Sequence, residues 1–144
     1  MQFGGGPIHS RSRIPRAMNL AELFHLETDL TVVEAGENLF RTGDSHDHMY
    51  VLVDGTAHVI VGGNIVEEAR PGALLGEMAL IDHAPRAACV RAASPCKFVA
   101  INERRFHFLI IQTPRFATHV MKIMADRLRA MNQLVSKSIR EKAL

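Results

Sequence analysis

Cysteine is scarce in this 144-residue sequence: Cys89 and Cys96 are the only two, too few for a disulfide framework, and no C-x-x-C or zinc-ligand spacing surrounds them. They read as buried reduced thiols. Long hydrophobic runs are missing as well. The longest obvious ones, Met49 to Val53 and Phe108 to Ile111, fall far short of the roughly eighteen apolar residues a membrane span requires. Net charge is small. Seventeen Lys and Arg against fifteen Asp and Glu leave a formal +2, which excludes capture of nucleic acid or anionic lipid by bulk electrostatics. Recognition must therefore be local. Residues 1–16, with Gly4, Gly5, Gly6, two prolines and three arginines, lack the continuous apolar core of a secretory signal. They are expected to be a disordered leader on a soluble, cytoplasmic protein.

What is present fits one core. A composition of 47% hydrophobic and 22% charged residues is that of a single globular domain, expected over residues 17–144. Asn19 to His25 begins with an Asn cap and a Glu three places on, and Leu20, Leu23 and Phe24 share a helical face, so a short helix is predicted there. From Leu30 to about Asn102 the pattern is of strands: Leu30 to Val33, Asn38 to Phe40, Met49 to Val53, Ala57 to Val61, Ile65 to Ala69, Ala87 to Ala92 and Phe98 to Ile101, with glycines between them. Asp54-Gly55 and Gly62-Gly63-Asn64 are hairpin signals. Short strands at this spacing predict a mainly β fold with flanking helices, a jelly-roll β-roll or double-stranded β-helix over about residues 30–102.

The pattern turns helical after Asn102. Glu103 to Gln112 reads as one helix, and Thr113-Pro114 starts a long second one that runs to about Arg140. Ala117, Met121, Met124, Leu128, Met131 and Val135 fall at heptad spacing, while Phe116, Val120 and Ile123 form a second stripe. One stripe is expected to pack on the roll and the other on a partner helix, giving a parallel homodimer. Charge follows the same division: residues 31–100 hold five basic and nine acidic side chains, and residues 101–144 hold nine basic and three acidic ones.

The most informative stretch is Pro71 to Ala88, where a glycine turn leads into a short helical segment and then a strand. Within it stand Gly76, Glu77, Ala79 and Leu80, a short loop, and Pro85, Arg86 and Ala88. This is the pattern Gly-Glu-x-Ala-Leu followed by Pro-Arg-x-Ala, and it resembles the phosphate-binding cassette of cyclic nucleotide-binding domains, as found in catabolite activator protein and the regulatory subunits of cAMP-dependent kinase. The likeness extends to Ala35-Gly36-Glu37, to Thr42 through Tyr50, to Val53-Asp54-Gly55, and to the helix pair that follows the roll.

The residue chemistry suits such a ligand independently of the family. A cyclic phosphodiester carries one negative charge and needs a fixed guanidinium with backbone N–H groups around it. Arg86 and the amides of Ala87 and Ala88 are candidates, with the helical N–H groups after Gly76 beside them. An ionised Glu77 only accepts hydrogen bonds, which suits a ribose 2′-hydroxyl and rejects a deoxyribose. The ligand-binding set is therefore Leu75, Gly76, Glu77, Met78, Ala79, Arg86, Ala87 and Ala88. In this family a Thr or Ser after the cassette arginine bonds guanine; here Ala87 stands there, so the resemblance implies cyclic AMP ahead of cyclic GMP. Arg127, Met131 and Asn132 lie where the long helix would cross the base, and Arg127 is a candidate to stack on it.

A metal site of the cupin kind is the alternative chemistry. His46-Asp47-His48 with Asp54 and His83 offers imidazoles and a carboxylate, but the spacing from Gly43 is short, the usual Glu is absent and no second motif follows. No metal or other cofactor is expected, and no Ser-His-Asp or Cys-His arrangement suggests an enzyme. Family members that regulate transcription continue into a helix-turn-helix domain; this sequence stops at Leu144, so direct DNA binding is not expected and the signal would pass to an effector protein the sequence does not name. A nucleotide-blind interaction module of the same fold is the other alternative.

Overall fold

The computed structural model describes residues 19–45 and 47–143. The leader expected over residues 1–16 and the candidate ligand His46 lie outside them. The first described element, α1 (Leu20–Leu23), is a single turn. Asn19 starts it, its Oδ1 accepting from the backbone N–H of Ala21 at 3.0 Å and of Glu22 at 3.4 Å, the capping role that a short amide side chain performs for unpaired helix donors. Leu20 and Phe24 are buried, but Leu23 is 41% exposed, because a one-turn helix has no room for the wider apolar face read from its sequence.

Among the described residues, eight strands follow in two antiparallel sheets. β1 (Thr31–Val33), β2 (Asn38–Phe40), β3 (His48–Asp54), β4 (Ala57–Val61), β5 (Asn64–Ala69) and β6 (Leu74–Leu75) precede a short helix, α2 (Glu77–Asp82); β7 (Cys89–Ala92) and β8 (Cys96–Asn102) come after it. One sheet has the order β1-β8-β3-β6 and the other β2-β7-β4-β5. This is the jelly roll expected from the strand spacing. One strand was not expected, and among the boundaries that moved the start of β7 matters most for the site. β6 has only two residues, too few to show a period of two, and the strand expected from Ala87 begins at Cys89.

Alternation along the central strands feeds two cores. Leu52 and Phe98 face the second sheet and join Val33, Ala57, Ala69, Leu75, Val90, Ala92 and Cys96. Met49, Val51, Val99 and Ile101 face the helices and meet Leu20, Phe24, Leu74, Leu80, Phe106, Phe116 and Val120. Between β3 and β4, Gly55 has φ +94°, and a Cβ there would collide with the carbonyl oxygen of Pro95, so the hairpin needs glycine for conformation and for space.

α3 (Glu103–Gln112) and α4 (Pro114–Ala143) close the fold. Phe116 and Val120 are buried and Ile123 packs against the same core, so the second stripe is the one that docks on the roll. Of the heptad stripe, Met124 also turns to that core, whereas Met121, Leu128, Met131 and Val135 are at least half exposed.

Candidate functional site

β6 pairs with β3 through Tyr50–Leu75 and Val51–Leu74, and the chain must then turn sharply into α2. Gly76 makes that turn at φ +75°. A Cβ at this position would collide with Nη1 of Arg86, so the absent side chain is the space the guanidinium fills. Glu77 opens α2, 4% exposed. The helix ends at His83 in a left-handed conformation, and the chain comes back to Arg86. The backbone of Arg86 is tied to the preceding glycine turn: its N–H donates to the Asp44 carbonyl at 3.1 Å, and its carbonyl accepts from the Gly43 N–H at 2.8 Å.

The Arg86 side chain is 7% exposed. Its Nη1 donates to the Gly76 carbonyl at 3.2 Å and its Nη2 to the His48 carbonyl at 2.6 Å. The guanidinium carbon lies 4.1 Å from the centre of the Phe40 ring, within cation–π range. Among the described residues no carboxylate forms an ion pair with it, and its Nε is buried with no hydrogen-bond partner. Burial pulls its pKa below the ordinary arginine value, partly opposed by Tyr50 and the acidic groups Asp47, Asp44 and Glu77 at longer range. The result is a buried cation with no local counter-charge, an arrangement that costs free energy unless an anion joins it.

Glu77 has the opposite surroundings. Both its carboxylate oxygens accept from Nη1 of Arg127 on α4, at 2.6 and 2.7 Å. The rest of that guanidinium is taken too. Nε and Nη2 form a fork onto the Glu67 carboxylate of β5 at 3.2 Å each, and Nη2 also donates to the Leu74 carbonyl at 2.7 Å. Burial lowers the Arg127 pKa, but Glu77 and Glu67 outweigh it and leave the pKa above the ordinary arginine value.

The candidate residues from the sequence thus fall into groups. Leu75, Gly76, Glu77 and Arg86 converge, with Leu75 in the core beneath. Met78 is 44% exposed on α2, Ala79 lies within the same helix, Ala87 is exposed, and Ala88 is half-buried just ahead of β7. Arg127 reaches the site as the partner of two carboxylates and a carbonyl, bonds that use the edge of its guanidinium. Asn132 is exposed further along α4. Glu67 and the carbonyls of His48 and Leu74 were not anticipated. Glu67 had a signal: it shares a strand face with buried Ala69 two residues on, and an acidic residue at an inward position requires a partner. Of the candidate metal ligands, His46 lies outside the described residues and His48 pairs with Asp47 at 2.6 Å; among the described residues no group of three or more ligating side chains occurs.

Comparison with known proteins agrees with this geometry. The cyclic nucleotide-binding domain family matches residues 30–113, which run from β1 through α3. A cAMP-dependent protein kinase regulatory subunit of Yarrowia lipolytica is 32% identical over 93 residues, 65% of this chain and 24% of that protein. A cyclic nucleotide-gated potassium channel of Mesorhizobium japonicum is 34% identical over 95 residues, 66% of this chain and 26% of that protein. The chain therefore spans about a quarter of the length of these relatives. In fold it resembles the catabolite activator protein of Thermus thermophilus, with a TM-score of 0.70 at 24% identity over 81% of this chain and 56% of that one. With the glycine turn, the buried carboxylate and the unpaired arginine all inside the matched span, the chain belongs to the cyclic nucleotide-binding domain family.

Proposed function

We propose that the protein is a cyclic nucleotide sensor that binds cyclic AMP and passes the signal through its C-terminal helices to a separate effector. The observation that carries this reading is Arg86, buried, without a carboxylate, and with one N–H unpaired. A phosphodiester anion placed there gains charge-assisted hydrogen bonds worth roughly 1.5 to 3 kcal/mol each, in exchange for neutral bonds to the Gly76 and His48 carbonyls. Glu77 then accepts from the ribose 2′-hydroxyl, and the amides of Ala87 and Ala88 lie beside the phosphate. The absent hydroxyl at Ala87 favours adenine over guanine. The relatives support the ligand class, since one is a cAMP-dependent kinase subunit and another a cyclic nucleotide-gated channel.

The signal requires contacts stronger in one helix arrangement than in another. Arg127 couples α4 directly to Glu77, so occupancy of the ribose site acts on the long helix. We assign the protein no catalytic step and place it in the cytoplasm; no helix among the described residues is long and apolar enough to cross a membrane. The exposed stripe of Met121, Leu128, Met131 and Val135 fits a second copy of the same helix in parallel. Sedimentation at micromolar concentration should give about twice the 16.0 kDa chain mass; a mass equal to one chain would remove the dimer.

A melting curve with cyclic AMP, cyclic GMP or AMP tests the ligand. A ligand at about 100 times its dissociation constant adds roughly 2.7 kcal/mol, several degrees for a domain of this size. Cyclic AMP should give the largest shift. No shift with any of the three would leave a nucleotide-blind interaction module as the better reading.

A further inference from the structure

We infer that Glu67 on β5 is a positioning residue for the ribose subsite, holding Arg127 so that Glu77 is fixed to read the 2′-hydroxyl. The inference rests on the proposed function and deepens it. Its ground is the geometry of a single guanidinium. Arginine has five N–H donors in a rigid planar fork. The Nε and Nη2 side of Arg127 is paired with both oxygens of Glu67, its remaining Nη2 donor goes to the Leu74 carbonyl, and Nη1 straddles the two oxygens of Glu77. Each of its three nitrogens has an acceptor. The parallel two-point pairing belongs to Glu67, and this is the pairing that fixes the orientation of a guanidinium. Glu77 receives what that orientation directs at it.

The lone-pair count shows that this is preparation for a ligand rather than competition with one. A carboxylate has about four acceptor positions, and Nη1 uses one on each oxygen of Glu77. Positions remain for an incoming hydroxyl, so the 2′-hydroxyl adds to the bridge without displacing Arg127. Arg127 is also the counter-charge of a carboxylate only 4% exposed, so its position sets how that carboxylate is held. Without Glu67, Arg127 at the end of a long flexible side chain keeps one carboxylate partner, and both it and Glu77 gain freedom that ribose binding must then remove.

The test compares cyclic AMP with 2′-deoxy cyclic AMP by calorimetry on the full chain. The wild type should prefer the ribose form by about tenfold or more, the worth of one hydrogen bond to a charged group. Glu67→Gln, nearly isosteric at a half-buried position, should cut that ratio on the order of fivefold by weakening cyclic AMP while leaving the deoxy form unchanged. Glu67→Asp, which keeps the charge but withdraws it by one methylene, should cut it less. Adding Glu67→Gln to Arg127→Met should change the ratio no further, since a positioning residue acts only through the group it positions. A ratio left intact by both Glu67 variants, additive effects in the double variant, or wild-type binding indifferent to the 2′-hydroxyl would overturn the inference alone. A wild type that binds no cyclic nucleotide would overturn the proposed function and the inference with it.

Discussion

Arg86, carried by the loop before β7, and Arg127, carried by α4, both reach the segment from Leu74 to Glu77, and their surroundings are opposite. Arg86 donates only to the neutral carbonyls of Gly76 and His48, and burial lowers its pKa. Arg127 contacts two carboxylates and a carbonyl, and its pKa is raised despite burial. The cassette end of the site therefore keeps an unmatched positive charge, while at the helix end two carboxylates more than match the one guanidinium. On the proposed function, the buried charge lacking a partner is held for a ligand that supplies one, and the saturated one joins two parts of the chain. The difference separates binding from coupling. Arg127 of the basic helix is matched to Glu67 and Glu77 of the acidic roll.

The comparison breaks most easily at the cassette end. Arg86→Met removes the buried cation that, among the described residues, has no carboxylate partner, and the loss of one partner from a buried charge pair costs about 3 to 5 kcal/mol. Affinity for cyclic AMP, measured by titration calorimetry, should fall by roughly two to four powers of ten. An unchanged affinity would place the phosphate elsewhere and end the distinction between the two arginines.

At the helix end the expected loss is of stability in the absence of ligand. Arg127→Met leaves the buried Glu77 carboxylate without its counter-charge. The cost should be about 3 kcal/mol, the low end for a broken buried pair, because the Arg127 side chain is itself 31% exposed and solvent screens part of the interaction. The melting temperature should drop by on the order of 10 °C. A drop of only a degree or two would mean that Glu77 finds water or another donor, and the helix end would not be a coupling element.

Much of this was readable from residue order, and the part that was not has a physical reason. The roll follows from β-branched or apolar runs of three to six residues separated by glycines, and the cassette from Gly76, Glu77, Pro85 and Arg86, whose spacing is set by a turn, a short helix and a loop. Two-residue β6 carries no periodicity and was invisible. The two helical stripes of α4 were legible as stripes, but only packing shows that Phe116 and Val120 dock while Leu128 and Val135 stay exposed. Arg127 was legible as a residue near the site and not as a bridge. A long side chain has many rotamers, and which one it takes depends on Glu67, sixty positions away in sequence.

The smallest expected effect sharpens the contrast furthest. Arg86→Met, so damaging to binding, should barely alter the ligand-free protein. The substitution gives up two hydrogen bonds from a charged donor to carbonyls, worth roughly 1.5 to 3 kcal/mol each, and a cation–π contact with Phe40 of about 1 kcal/mol. Against that it removes a desolvated charge and an unpaired Nε, and it keeps an unbranched apolar side chain of comparable length over the Phe40 ring. Replacing buried charge by apolar volume is often neutral or stabilising. Chemical denaturation should show a change within about 1 kcal/mol of zero, set against the 3 kcal/mol or so lost by Arg127→Met in the same assay. Equal losses in the two variants would mean that Arg86 also holds the fold together, and the unmatched charge could no longer be attributed to a waiting ligand.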